Sequence, residues 1–456
     1  MEKLTANEIA NAVEGAIMFG SETEFICHVS TDSREIKEHT LFVPLKGEKI
    51  DGHEFIGKAI ENGASIILSE KDVKMTDKVC VIKVADTTHA LGKLAKFYLA
   101  KMNVKVVAVT GSVGKTSTKE MIASVLSQRF QVVKTQGNFN NHIGLPKTIF
   151  QIEEGDEIAV LEMGMNHFGE IDYLADIANP DIAIITNIGV SHIENLGSRE
   201  GILKAKMEVD KHLKQGGKLV LNADNDLLNR TLPTIKDHVL TYGIQNKEAQ
   251  YVASDVYSSS EGVGFTFEMA QKTYTPVIHA LGEYHVYNAI CAVAVGHYFG
   301  MKPEEIVCGI EQFKNAAMRM NVKKVKDLTI IVDCYNAAPD SMKEAIKVLG
   351  TLGDGRKVAV LGDMMEMGDY ADAAHDKVGR AVATHHINIL VAIGAQAKHI
   401  ANGALEGGLS RTQIFSFKTN EEFLKEFPHI VQEGDTILLK ASRAMAFEKI
   451  LNYIER

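Results

Sequence analysis

From residue 104 onward, short apolar runs alternate with amphipathic stretches. The run VKVVAVT (104–110) predicts a buried strand, and Met121, Ile122, Val125 and Leu126 recur at helical spacing after it. Strand-like runs follow at 157–164 (EIAVLEMG), 181–189 (DIAIITNIG) and 217–224 (GKLVLNAD), separated by helical patterns. Such alternation predicts a mostly parallel sheet with crossover helices. The period changes over 249–279, where YVASDVYS and VGFTFEM alternate apolar and polar positions, so an antiparallel patch is expected. Near residue 315 the first pattern resumes, with strand-like runs at 328–333, 356–362, 387–394, 413–417 and 435–440, each followed by a helical pattern. This predicts a second doubly wound unit. No clean G-x-G-x-x-G follows its first strand, so architecture alone implies no dinucleotide site. Before residue 100, strands are expected at 40–45 (TLFVPL) and 64–69 (ASIILS) around a helix-like GHEFIGKAIENG, and 91–105 reads as a linking helix.

The blocks give an α/β chain of three domains, with boundaries at 1–99, 100–314 and 315–456. The length agrees, since domains average about 150 residues and the chain has 456. A net charge of −10 argues against a general nucleic-acid binder, though a local pocket can still be cationic. Cys27, Cys80, Cys291, Cys308 and Cys334 are scattered, odd in number and form no C-x-x-C pair, which fits reduced thiols. The start, MEKLTANEIANAVEG, has an amphipathic helical pattern rather than that of a signal peptide. No segment approaches the roughly 18 apolar residues of a membrane span. A cytoplasmic chain with no membrane insertion is expected.

The chemistry concentrates after the strand at 104–110. Thr110, Gly111, Ser112, Val113, Gly114, Lys115 and Thr116 end like a phosphate-binding loop, but the first glycine comes two residues later than in G-x-x-x-x-G-K-[ST]. Glycines let backbone approach phosphate oxygens, and a helix N-terminus favours anions. Lys115 can reach β and γ phosphates, and the Thr116 hydroxyl can bind Mg²⁺. The alternative is a strand-to-helix turn with a solvated lysine. Glu162 and His192 each follow a strand-like run, at the carboxyl edge where α/β sheets bind ligands. Each reads equally as a cation ligand or as a solvated cap and a structural histidine. Asn138, Asn140 and Asn141 lie in TQGNFNNHIGLP, which by itself reads as an ordinary Asn/Gly loop. Lys206, in LKAKMEV, by itself reads as a solvated helix lysine.

Taken together, these motifs resemble the ATP-dependent Mur ligases of peptidoglycan synthesis, whose own phosphate loop has the short T-G-x-x-G-K-T spacing. The resemblance covers nearly the whole chain. TDSREIKEHTLFVPLKGEKIDGHEFIGKAIENGA (31–64), GNFNNHIGLP (137–146), EMGMNHFGEI (162–171), VDCYNAAPDSM (332–342), VLGDMMEMGDYADAAH (360–375) and LLKASRAMAFE (438–448) carry it. The last three point to the branch that adds a D-alanyl-D-alanine dipeptide to UDP-N-acetylmuramoyl-tripeptide through an acyl phosphate. The resemblance implies a small UDP-binding N-terminal domain, a central ATP-binding domain and a Rossmann-like C-terminal domain that closes over ATP in each cycle. It assigns Ser33, Arg34, Lys46, Gly47 and Asp51 to the UDP end, and Asn138, Asn140 and Asn141 to the same substrate. ATP would be held by Thr110 to Ser117 (Ser117 included), Asn288, Arg319 and Asp333, and the dipeptide by Tyr335, Asn336 and Ser442. Catalysis would use Lys115, Glu162, His192 and a carbamylated Lys206. Two Mg²⁺ ions would sit among Thr116, Glu162, His192 and Lys206, in a monomer.

Three positions depart from the family pattern. Tyr284 and His285 replace its H-N pair, Ala338 replaces the second asparagine of Y-N-A-N-P, and Ala441 replaces the glycine of K-G-S-R. Rival readings lack their markers. The single-amino-acid ligase would carry D-N-P-R, folylpolyglutamate synthetase would not need the uridine-type domain, and a GTPase switch would need N-K-x-D where this chain has NKEA (246–249).

Overall fold

A computed structural model describes residues 1–74, 78–259, 261–352 and 355–456. The chain forms two compact units. One comprises Met1–Thr110, Arg129–Ile184 and Met207–Leu219, and the other Gly111–Gln128, Ile185–Lys206 and Val220–Arg456.

In the first unit, a five-stranded sheet runs in the order Ala16–Phe19, Cys80–Lys83, Ala64–Ser69, Thr40–Phe42, His28–Ser30. Its first pair is antiparallel and the rest are parallel. The strands expected at 40–45 and 64–69 are present; Ala16–Phe19 and Cys80–Lys83 were not expected. Helix Ala6–Val13 begins with a reciprocal cap, in which the Glu8 N–H donates to Thr5 Oγ1 and the Thr5 N–H to Glu8 Oε2. The helix foreseen at 91–105 starts earlier, at Thr87, because the Asp86 carboxylate accepts the His89 N–H. Its fully buried Tyr98 hydroxyl donates to the Ile152 carbonyl at 2.6 Å and accepts the Glu2 N–H at 2.7 Å, tying three distant segments together. Ile158–Glu162 pairs in parallel with Lys105–Thr110 and Val132–Lys134. Glu162 stands beside Val109 in that register, at the carboxyl edge.

In the second unit, helix Lys115–Leu126 packs on Tyr284–Tyr298 and Pro303–Glu311. Gly309 permits the close approach: a Cβ there would lie 2.4 Å from the Val125 Cα, and the Ser124 hydroxyl donates to the Gly309 carbonyl. The antiparallel patch forms as expected from Tyr251–Ser259, Gly262–Met269 and Lys272–Tyr274. Six strands follow in the order Asn321–Val325, Leu328–Val332, Thr436–Lys440, Lys357–Gly362, Ile389–Ile393, Ile414–Phe417. All pairs but the first are parallel.

Alternation along these strands fills two cores. Ile331, Leu361, Leu390 and Leu438 face one, with helices Pro339–Thr351, Ala371–Thr384 and Ala397–Glu406. Ile330, Val360, Val391 and Leu439 face the other, with Asn420–Ile430 and Glu448–Ile454. Both faces are covered, as a doubly wound sheet requires.

The buried Asp363 carboxylate ends the Lys357–Gly362 strand and accepts the N–H groups of Ala395, Gln396 and Ala397 at the start of the Ala397–Glu406 helix. Asp363→Ala leaves three amides without that acceptor. A loss of about 2–3 kcal/mol is expected in urea unfolding; a loss under about 0.5 kcal/mol would mean water replaces the carboxylate.

Candidate active site

The phosphate loop leads directly into helix Lys115–Leu126. Gly111 and Gly114 have φ of +150° and +85°, which non-glycine residues avoid, and a Cβ on Gly111 would lie 1.8 Å from Thr186 Oγ1. The loop is braced by Thr186 to Gly189. Asn187 Oδ1 accepts the N–H groups of Ser112 (3.1 Å) and Val113 (3.0 Å), the Thr186 hydroxyl donates to the Val113 carbonyl, and the Gly189 N–H donates to Ser112 Oγ. Two loop amides are therefore already satisfied by Asn187, and those at the helix start, from Gly114 to Ser117, are the ones a helix N-terminus offers to an anion. The Lys115 amine donates to the Gly111 carbonyl at 2.7 Å, curled over its own loop. Asn187→Ala removes the shared acceptor. It is expected to weaken ADP binding about tenfold by calorimetry, roughly one hydrogen bond's worth; unchanged affinity would show that the glycines alone shape the loop.

Asn288 contacts the first turns of the helix that follows the loop. Its Oδ1 accepts the Thr118 hydroxyl at 2.9 Å, and its Nδ2 lies 3.3 Å from His285 Nδ1. His285 is fully buried between Tyr284 and Phe313, and burial holds its pKa down to about 3, so it stays a neutral acceptor.

Lys206 is 1% exposed, not the solvated lysine its local sequence suggests. Burial pushes its amine well below the ordinary lysine value, and the charge of Lys115 pushes the same way. His192 occupies a left-handed position, φ +64°, and its Nδ1 lies 2.6 Å from Glu366 Oε2. The Glu366 carboxyl is held below its usual range by His192 and, more weakly, by Lys115. Glu366 lies in the VLGDMMEMGDYADAAH motif, whose sequence alone gives it no role.

Arg319 lies between Met318 and Met320, both with left-handed backbone, and stacks its guanidinium 4.3 Å from the Tyr335 ring centre. Its Nε is buried with no hydrogen-bond partner among the described residues. Asp333 is nearly buried, and its Oδ1 accepts the Met320 N–H. The buried Lys440 amine donates to Asp333 Oδ2 at 2.5 Å and to the Asn336 carbonyl at 3.2 Å. Lys440, not singled out in sequence, thus joins Asp333 to Asn336. Ser442 is buried, with its Oγ accepting the Met365 N–H.

The first unit carries the remaining candidates. Glu162 is 3% exposed and accepts Asn140 Nδ2 at 2.9 Å; its own N–H donates to Thr135 Oγ1. Thr110 ends its strand buried. Asn141 caps helix Gly144–Ile149, accepting the Ile143 and Gly144 N–H groups, while Asn138 is exposed. Ser33 and Arg34 lie side by side; Arg34 and His28, Ser30 and Lys37 line a cleft of about 490 Å³. Arg34 is paired with Asp32 through Nε and Nη2. Lys46 and Gly47 are exposed on the turn closed by the Lys46–Asp51 bridge. Asp51 is engaged with Lys71 at 2.6 Å and His53 at 2.7 Å, so its first duty is to shape that turn.

Three family models match in chain order: the Mur ligase family catalytic domain over 26–99, the Mur ligase middle domain over 109–296 and the Mur ligase glutamate ligase domain over 318–443. The chain belongs to the Mur ligase family. Among curated Mur ligases, the UDP-N-acetylmuramoyl-tripeptide–D-alanyl-D-alanine ligase of Bacillus subtilis strain 168 is 42% identical, over 99% of this chain and 98% of its own length. The solved MurF of Acinetobacter baumannii superimposes with a TM-score of 0.91 at 32% identity, covering 100% of both chains. MurF of Thermotoga maritima, solved with ADP, gives 0.83 at 30% identity, over 94% of this chain and 97% of that one. The Mur ligase fold is therefore matched end to end, and the chain is a ligase.

The resemblance implies a divalent cation, and the candidate donors are individually of the kind a hard cation takes. Thr116 offers a hydroxyl, Glu162 a buried carboxylate and His192 an imidazole. Among the described residues, no three His, Cys, Asp or Glu side chains cluster into a ready-made cage.

Proposed function

We propose that the chain joins D-alanyl-D-alanine to UDP-N-acetylmuramoyl-tripeptide, cleaving ATP to ADP and phosphate and releasing UDP-N-acetylmuramoyl-pentapeptide. The observation that carries this is the 42% identity maintained over 99% of the chain with a ligase of that name. Residues 1–99 would hold the UDP end, 100–314 the ATP and 315–456 the dipeptide, in a cytoplasmic monomer. No helix among the described residues is long and apolar enough to cross a membrane.

In the first step the tripeptide carboxylate attacks the γ-phosphate, the bond to the β–γ bridging oxygen breaks, and ADP leaves, giving an acyl phosphate. Both reactants are anions, so the site must offset their repulsion. Lys115 leaves the Gly111 carbonyl for the phosphates, while the amides at the start of its helix hold the oxygens. Mg²⁺, when bound, supplies further neutralisation of phosphate charge. Thr116, Glu162 and His192 would hold it, with Lys206 supporting a second ion once CO₂ has converted its neutral amine to a carbamate. Asn140 orients Glu162. Arg319, on its Tyr335 shelf, would then close over the nucleotide, and Tyr335, Asn336 and Ser442 would border the dipeptide. In the second step the dipeptide amine attacks the acyl carbonyl, and phosphate leaves.

Phosphate release from ATP tests the reading. Release should require both UDP-N-acetylmuramoyl-tripeptide and D-alanyl-D-alanine. Equal release with a single amino acid in place of the dipeptide would favour a different ligase branch, and release with neither substrate a simple NTPase.

A further inference from the structure

We propose that Glu366 is a positioning residue of the catalytic centre: its carboxylate pins the His192 imidazole through Nδ1 and presents Nε2 to a divalent cation. The inference rests on reading His192 as a cation ligand, and it adds a residue that the family motifs left without a role.

Three observations converge. Glu366 Oε2 and His192 Nδ1 stand 2.6 Å apart. Both residues hold left-handed backbone, at φ +62° and +64°, which a non-glycine residue keeps only when its surroundings enforce it. The enforcing contact lies next door: Gly368, at φ +49°, approaches Glu194 so closely that a Cβ would stand 3.2 Å from the Glu194 Cβ. Segment 366–368 is thus seated on segment 192–194, and the seating brings the carboxylate to the imidazole.

The chemistry follows from the ring. Imidazole has two nitrogens, and a carboxylate engaging one leaves the other as the cation ligand, with its orientation fixed and its basicity raised. Nδ1 is buried and lacks an in-line hydrogen bond among the described residues, so the pair is close without a formed hydrogen bond. Such contacts commonly align when the ligand arrives. An ordinary ion pair would need neither left-handed residue.

The test uses the full chain with Mn²⁺ as probe, bound in the presence of ADP and followed by the loss of the free-ion electron paramagnetic resonance signal. ADP affinity in EDTA and the melting temperature are measured alongside. Glu366→Ala and Glu366→Met, the second keeping the length of the side chain, are expected to weaken Mn²⁺ binding about 10- to 100-fold, with ADP affinity in EDTA unchanged. His192→Ala should weaken Mn²⁺ binding at least as much. Wild-type Mn²⁺ affinity in either Glu366 variant, with His192→Ala impaired, overturns the proposal and leaves His192 as a ligand. Wild-type affinity in His192→Ala overturns both. Equal losses of Mn²⁺ and metal-free ADP binding in the Glu366 variants would show a general loop defect and also overturn it.

Discussion

Lys115→Met is expected to lower ATP-dependent phosphate release about 10³-fold while the protein melts within a degree or two of wild type. The amine is the first helical residue's only charge, and in this structure it donates to the Gly111 carbonyl. That bond joins two parts of one loop already held by Asn187, Thr186 and Gly189, so the fold does not depend on it. Methionine keeps the unbranched stem and a similar helix propensity. What disappears is a positive charge at the point where a carboxylate must approach a polyphosphate. At 4 Å and an effective dielectric constant near 20, a unit charge is worth about 4 kcal/mol, which is the scale of a 10³-fold effect. Single-turnover phosphate release and ADP calorimetry check it together. A variant within tenfold of wild type in turnover would mean that the helix amides and the cation suffice, and Lys115 would lose its catalytic role.

How much of this was legible in the chain depends on whether the signal was local. The loop was, because a strand, two glycines, a lysine and a helix occur in sequence order, and the structure sets the helix start at Lys115. Five runs of the C-terminal sheet, including the edge Ile414–Phe417, were legible for the same reason: each is an apolar stretch followed by a helical pattern. Its other edge strand, Asn321–Val325, was not. NVKKV is polar and mostly exposed, and only pairing with Leu328–Val332 makes it a strand. Asp51 and Arg34 were singled out by motif, but their partners Lys71 and Asp32 were not legible from it. Lys440 and Glu366 sat inside quoted motifs, but the partners that give them meaning, Asp333 and His192, are more than a hundred residues away in sequence. Spacing along one segment carries no trace of such pairs.

Lys206 shows the same limit most sharply, and its replacement should move activity and stability in opposite directions. Lys206→Met is expected to cut turnover on the order of 10²–10³-fold, and to raise unfolding free energy at pH 7 by about 0.5–2 kcal/mol in CO₂-free buffer. The amine is buried, and Lys115 is a like-charged neighbour, so the folded chain holds its proton less tightly than the unfolded chain does. Between the depressed folded pKa and the unfolded value of about 10.4, the unfolded state binds the extra proton. Wild-type stability from this residue therefore rises with pH across that window and levels off above it. The methionine variant lacks that rise, so its advantage should shrink between pH 7 and pH 10, as urea unfolding at several pH values would reveal. A neutral buried amine is also the form that attacks CO₂, losing a proton to give the carbamate, and ¹³C-bicarbonate should give a carbamate signal in wild type that the variant lacks. Lys115→Met offers a cross-check: removing that charge relieves part of the Lys206 shift and should flatten the same pH dependence. If Lys206→Met is instead less stable at every pH, the lysine contributes packing or a hydrogen bond to the fold, and burial without compensation is the wrong account of its shifted amine.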